Sequence, residues 1–332
     1  LEYFHFSSLN NIYIMKNSYS NIYSFNKKIL KKSINNLKNG NVLGLPTETV
    51  YGLAGNAYSK SSVQKIYKLK ARPKSNPLII HYYSFKNILS DVIINDNFRK
   101  LYKSFCPGPI TFILKKKPNS RIHPFACAKM NTVAVRFPKH VVIRSILKKI
   151  NFPLAMPSAN KSTNVSPVNA KDVYEEFKKK IKIIVNSGKC KIGIESTVVD
   201  LTGSPRILRP GIIDKKSIEK ILKKKIKKNN KYKKIISPGM FKKHYYPGIP
   251  VKINQKKHDG KSAYIYLGKK FQNKKDFFTL SKNFDLNEAA SNLYKILRLA
   301  KKRGYKKIQI NKIPNHGPGI AINDRIKRAS KF

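Results

Sequence analysis

The sequence predicts an α/β protein in two parts, on three observations. Short β-rich runs alternate with helical patterns from about Phe25 to Gly211, a second strand–helix alternation begins at Ile249, and a Pro- and Gly-bounded segment, Ser237–Gly248, lies between them. A chain of 332 residues, 41% of them hydrophobic, has enough apolar mass to bury a core in each part. The expected organisation is an N-terminal extension over residues 1–24, a first α/β unit over 25–213, a helix and linker over 214–248 and a smaller α/β unit over 249–332. The chain starts at Leu1 and its first methionine is Met15, so the extension is expected to be disordered or to lie upstream of the true start.

Taken in order, Asn41–Leu45 reads as a buried strand running into a turn at Pro46. Ser59 suits the N-cap of a helix carrying Val63, Ile66 and Leu69 at three-residue spacing, and Pro73 stops it. Pro77–Tyr83, Thr111–Lys117, Thr132–Pro138 and Pro153–Met156 read as strands, and Asn169 caps a helix containing Val173 and Phe177. Ile181–Asn186, Ser196–Leu201 and Arg206–Leu208 complete the β content of the first part, in an order the sequence does not give. Asp214 to about Asn230 reads as a Lys-rich helix with Ile218, Ile221, Leu222 and Ile226 as its apolar stripe. In the second part, Ala263–Leu267 and Lys307–Ile310 are strands, the second leading to the C-terminal tail, and Leu286–Arg303 is a helix with Gly304 at its end.

Lys and Arg number 70 against 16 Asp and Glu, a formal charge of +54, which attracts polyanions such as nucleotides or RNA. Lys is spread along nearly all of a chain also rich in Asn, Ile and Tyr, so the charge reads mainly as composition on a solvated surface. Cys106, Cys127 and Cys190 show no CxxC spacing and form no zinc set with the histidines, so no metal-ligating residues are expected. No apolar run approaches the ~18 residues needed to span a bilayer, and a cytoplasmic, membrane-free protein with free thiols is expected.

Four clusters carry candidate chemistry. Leu45–Gly52 packs hydroxyls and a glycine into a strand-ending turn. In Lys70–His81, Lys70 and Arg72 sit at a helix end, where they either offset the helix dipole or clamp phosphates, Arg by bidentate contact and Lys as a point charge. Arg136, between strand neighbours, needs an anionic partner if the sheet is covered, and Asp200 or Glu195 is the expected protein partner. Ser158 and Asn160 follow a strand in a Pro-bounded turn suited to hydroxyl and amide contacts with a nucleotide. Glu195–Asp200 and Arg206–Gly211 form the fourth cluster. No GxxxxGK[ST] loop, strand-linked GxGxxG or nucleophile elbow is present. A site rich in cations and hydroxyls, without a covalent nucleophile, suits stabilisation of developing phosphoryl charge.

Together the clusters resemble the YrdC family in its long, two-domain form, the threonylcarbamoyl-AMP synthases. The resemblance rests on PTETVYGL (46–53), KARPKSNPLIIH (70–81), CPGPITFIL (106–114), TVAVRFP (132–138), MPSAN (156–160), IESTVVD (194–200) and ILRPG (207–211). SPGMFKKHYYPG (237–248) and GPGIAINDRIKRAS (317–330) indicate the long form. It implies a YrdC-like twisted open mixed sheet with flanking helices, plus a smaller Rossmann-like α/β domain. It implies that L-threonine, bicarbonate and ATP yield threonylcarbamoyl-AMP and pyrophosphate, with Mg²⁺ held mainly by the ATP phosphates. A tRNA-modifying threonylcarbamoyl-transferase complex would then consume the product, and direct tRNA contact is a further expectation. Lys70, Arg72, Ser158 and Asn160 are implied as the catalytic core, with Asn76, Thr132, Ser166 and Arg209 also on ATP. Thr49, His81, Arg136, Ser158 and Ser196 are implied on the threonine side, and His244 and Tyr245 as lid residues against the nucleotide. The competing reading, favoured by net charge alone, is a double-stranded RNA or tRNA-binding protein without catalysis.

Overall fold

The computed structural model describes residues 19–226, 237, 241, 243–271 and 274–332. The extension over 1–18, the expected helical residues 227–230, and 238–240 and 242 of the linker lie outside the described residues.

The first part carries strands β1 (Ile22–Ser24), β2 (Leu43–Leu45), β3 (Gly52–Asn56), β4 (Ile79–His81), β5 (Ile110–Lys115), β6 (Thr132–Arg136), β7 (Leu154–Ala155), β8 (Ile184–Asn186), β9 (Thr197–Asp200) and β10 (Arg206–Arg209). They form one mixed sheet in the order β1-β8-β2-β3-β7-β4-β6-β5-β9-β10. Its helices are α1 (Lys27–Lys38), α2 (Lys60–Lys70), α3 (Asp96–Phe105), α4 (Val141–Leu147), α5 (Ala170–Phe177) and α6 (Lys215–Leu222). The expected caps are in place: Ser59 accepts from the Ser62 amide at the start of α2, and Asn169 from the Asp172 amide at the start of α5.

Strand alternation decides what each face meets. Ile80, Phe112, Leu114, Val133 and Val135 pack with α2, α3, α5 and α6 in one core. On the opposite face, Leu43, Leu45 and Leu154 pack with Ile29 and Leu37 of α1 and with α4. Further along that second face, Ile79, Ile113, Ala134, Val198 and Leu208 form a separate small cluster that, among the described residues, includes no helix of the first part. That buried stretch of sheet is where the site lies.

The second part carries β11 (Val251–Lys252), β12 (Ala263–Tyr266), β13 (Phe277–Thr279) and β14 (Ile308–Ile310), an all-parallel sheet in the order β11-β14-β12-β13. Helices α7 (Leu286–Lys302) and α8 (Pro318–Ala329) pack on it. Its core is continuous with Val50, Val165, Val168 and Ile194 of the first part and with Tyr245 of the linker. The two parts are therefore docked through an apolar seam.

Three expectations are corrected. Residues 22–24 are not a disordered extension: they pair in parallel with Ile184–Asn186 at the sheet edge. The helix expected to run to about Asn230 ends at Leu222, because Lys223 turns left-handed at φ 52°, and Ile226 is buried beyond it. The C-terminal tail is a helix, α8, with Pro318 at its first turn and Ile322, Ile326 and Ala329 buried.

Candidate active site

The floor of the site follows from register. Ile79 and His81 of β4 lie beside Ala134 and Arg136 of β6, and Thr111 and Ile113 of β5 beside Arg136 and Ala134. Because side chains alternate along a strand, Thr132, Ala134 and Arg136 share one face. One strand thus carries a threonine and an arginine whose Cα atoms are about 13 Å apart, across an apolar floor.

At one end of the floor, Arg136 Nη2 meets Glu48 Oε1 at 2.7 Å, and Glu48 Oε2 accepts from the Lys139 amide at 3.1 Å. Burial tends to raise the Glu48 carboxyl, but the Arg136 charge and hydrogen bond outweigh it and hold it below the ordinary carboxylate value. The expected partners of Arg136 are engaged elsewhere: Asp200 pairs with Arg206 at 2.6 Å and Glu195 with Arg325 at 3.0 Å. Burial and the Arg136 charge keep the His81 imidazole neutral at ordinary pH. Thr49 lies behind Thr47, their hydroxyls 2.9 Å apart, and Ser196 receives Arg209 Nε on its carbonyl and Nη2 on its hydroxyl, each at 3.1 Å.

At the other end, α2 closes with Ala71 at φ 47°, and Arg72 just beyond it lines the cleft. Arg72 Nη2 donates to Asn76 Oδ1 at 2.6 Å and to the Pro77 carbonyl at 2.8 Å. Lys70 is buried, and its ammonium donates to the carbonyl oxygens of Ser158, at 2.5 Å, and Asn160. It therefore pins the Ser-x-Asn turn from beneath instead of standing free in the cleft, as a point-charge clamp would. Asn160 donates its amide to the Lys161 and Asn164 carbonyls.

The linker closes the site. Tyr246 exchanges backbone bonds with Thr163 and Val165, at 2.9 and 3.2 Å, which seats His244 and Tyr245 in the cleft with their rings 4.0 Å apart. Burial and the Arg72, Lys70 and Arg209 charges, opposed by Glu195, lower His244 to about 3, so its imidazole is neutral. Arg72, His81, Arg136, Ser158, Arg209, His244 and Tyr245 line the remaining cavity, with Glu195 and Thr47. The cavity is about 40 Å³, room for about two or three waters. Asn76, Asn160, Ser166 and Thr132 do not line it; Asn76 and Ser166 reach it through Arg72 and Glu195, and Thr132 stands at the far end of β6.

Three buried polar atoms on residues lining the cavity have no hydrogen-bond partner among the described residues: His81 Nε2, Arg136 Nε and the Tyr245 hydroxyl. Protein interiors rarely leave such atoms unpaired, so their concentration around one cleft points to a polar ligand. The three cysteines do not line it, and burial pushes each thiol up to about 12, which removes them as nucleophiles. Among the described residues no group of His, Cys, Asp and Glu could hold a metal ion. Glu48 and Glu195, the carboxylates at the cleft, are both engaged by guanidinium groups.

Sequence reasoning missed the roles of Glu48 and Glu195 and did not single out Tyr294 or Arg325. Glu48 and Arg136 are 88 residues apart, so only the sheet order brings them together. The DR pair in 317–330 was the available signal for Arg325.

Residues 35–211 match the Sua5/YciO/YrdC family model, described as telomere recombination, and 213–331 match the model for the threonylcarbamoyl-AMP synthase C-terminal domain. This chain belongs to the threonylcarbamoyl-AMP synthase family. Relatives in that family carry the name across kingdoms: the Pyrococcus abyssi protein is 34% identical, covering 89% of this chain and 92% of that one. The Bacillus subtilis protein is 33% identical over 89% and 90%. The crystal structure of P. abyssi Sua5 complexed with L-threonine superposes with a TM-score of 0.86 at 31% identity, over 93% of this chain and 97% of that one. Family members of this form are enzymes, and among the described residues no helix here is long and apolar enough to cross a membrane.

Proposed function

We propose that this chain joins L-threonine, bicarbonate and ATP into threonylcarbamoyl-AMP and pyrophosphate. The observation that carries the reading is the set of unpartnered polar atoms, His81 Nε2, Arg136 Nε and the Tyr245 hydroxyl, around a cleft with cations at both ends. The P. abyssi relative, crystallised with L-threonine, supports assigning one end to the amino acid.

Arg136 receives the threonine carboxylate, with Thr49, His81, Ser158 and Ser196 completing that end. Glu48 keeps Arg136 aimed and prevents an unpaired buried charge when the site is empty. The neutral His81 offers Nε2 to the substrate without competing for the carboxylate. Arg72 and Arg209 face the phosphates, Asn76 fixing Arg72 and Ser196 fixing Arg209. Lys70 acts through the turn it holds, positioning Ser158 and Asn160. Thr132 and Ser166 belong to the outer nucleotide contacts, and His244 and Tyr245 close over it.

The threonine amine attacks bicarbonate, forming the N–C bond and losing water to give a carbamate. A carbamate oxygen then attacks the α-phosphorus, and the bond to the β-phosphate oxygen breaks to release pyrophosphate. Orientation and fixed cations supply the acceleration, with no covalent enzyme intermediate. ATP enters as its Mg²⁺ complex, the ion held by substrate phosphates and neutralising charge on them. Closure by His244 and Tyr245 keeps water from the mixed anhydride. The product is consumed in tRNA modification by a separate threonylcarbamoyl-transferring complex in the cytoplasm, with direct tRNA contact through the basic surface.

The test is threonine-dependent ATP–pyrophosphate exchange by the purified chain in bicarbonate buffer. Exchange that requires threonine supports the proposal; binding of RNA with no exchange overturns it.

A further inference from the structure

The segment 317–330 has no role in the reaction as proposed, yet its Arg325 reaches the wall of the cleft. Arg325 lies on α8 of the second domain and is fully buried. Its Nε donates to Glu195 Oε2 at 3.0 Å, and its Nη1 to the Pro210 carbonyl and to Asp324, each at 2.8 Å. Tyr294, on α7, donates its hydroxyl to the same Glu195 oxygen at 2.8 Å, and Ser166 donates to the other at 2.6 Å. Glu195 therefore carries a carboxylate on the cavity wall whose counter-charge and one of whose hydrogen bonds come from the second domain.

The same two residues hold the linker. The Arg325 guanidinium lies 5.4 Å over the Tyr245 ring, and the Tyr294 ring stacks on Tyr245 with centroids 5.7 Å apart. Tyr245 has a φ of +66°, a conformation a tyrosine keeps only when its surroundings fix it. Without Arg325, Glu195 faces an anionic nucleotide unpaired, or draws Arg209 away from Ser196.

We infer that Arg325 and Tyr294 are positioning residues: through them the second domain neutralises Glu195 by pairing and seats Tyr245, making the cleft receptive to a nucleoside triphosphate. This rests on the nucleotide reading above and gives the second domain a task within it.

The experiment compares MgATP affinity by calorimetry, and KM for ATP and threonine, in the full chain and in R325M, R325K and R325M/E195Q, with thermal melts alongside. R325M is expected to weaken ATP tenfold or more in both Kd and KM, while the threonine KM moves less than threefold. R325K, which keeps the charge, and R325M/E195Q, which removes the carboxylate, are each expected to recover most of that loss. A purely structural role predicts instead that the double variant binds ATP no better than R325M, and that result overturns the inference, as does unchanged ATP affinity in R325M. If R325M does not fold, Y294F serves: about threefold weaker ATP is expected, and wild-type affinity overturns the inference. The unsubstituted chain separates the two levels. If it binds ATP but makes no threonine-dependent pyrophosphate, the proposed reaction fails while the affinity comparison still decides the role of Arg325.

Discussion

Arg136 and Glu48 form a buried ion pair, 2.7 Å between Nη2 and Oε1, at one end of the cleft floor. Breaking such a pair leaves a charge stranded, whereas removing both partners does not. R136M should therefore destabilise the chain by about 3 to 5 kcal/mol and abolish threonine binding. R136M/E48Q should regain most of the stability but not the threonine affinity. Denaturant melts and calorimetry check this, and recovered threonine binding in the double variant would remove Arg136 from the amino-acid site. Since the Glu48 carboxyl is held below its unfolded value of 4.5, the pair contributes fully above that pH and is lost as pH falls through the folded value.

Arg72 and Lys70 should separate in their effects. Arg72 is half-buried and bonds Asn76 and Pro77, so R72A should cost about 1 kcal/mol of stability and at least about a hundredfold in turnover. Lys70 is buried beneath Ser158 and Asn160, so K70A should lose turnover and also melt several degrees earlier. An R72A enzyme with near-normal turnover contradicts the phosphate assignment.

His244 gives a pH dependence to linker docking. Burial and nearby cations hold its folded value at about 3, against 6.5 when undocked, so only the undocked form takes up a proton below 6.5. Docking should be pH-independent above 6.5 and weaken as pH falls from there toward 3, by up to about 1.4 kcal/mol per unit. Amide exchange at Tyr245 and Tyr246, corrected for intrinsic rates, should accelerate between pH 7 and 5. In H244N that acceleration should vanish; its persistence assigns the effect elsewhere.

Gly193 marks where the two parts touch. Its φ is +77°, and a Cβ there would stand 2.6 Å from Ser291 Cα on α7 and 2.7 Å from the Ser291 carbonyl oxygen. G193A should push α7 away from the Glu195 loop, lower the melting temperature by several degrees and weaken ATP more than threonine. A variant with unchanged melting and kinetics would show that this approach is not tight.

Local features were legible in the sequence: the Ser59 and Asn169 caps, most strands of the large sheet, and the cation and hydroxyl clusters all depend on near neighbours. What was not legible depends on chain-distant pairing. β1 has three residues and is defined by its partner β8, and α8 read as a tail because its apolar stripe matters only once docked. The Glu48–Arg136 and Glu195–Arg325 pairs span 88 and 130 residues, so no spacing rule could join them. From the sequence Lys70 suits either a helix-dipole or a phosphate-clamp role, because nothing in its surroundings along the chain announces two carbonyls from residues 158 and 160.

The central claim is tested most directly by chromatography and mass spectrometry of the reaction of the purified chain with L-threonine, ATP, Mg²⁺ and ¹³C-bicarbonate. The account predicts an adenylate carrying both the threonine and the labelled carbon, formed with pyrophosphate and absent when threonine or bicarbonate is withheld. Pyrophosphate without the labelled adenylate, or an adenylate formed equally well without bicarbonate, would contradict it.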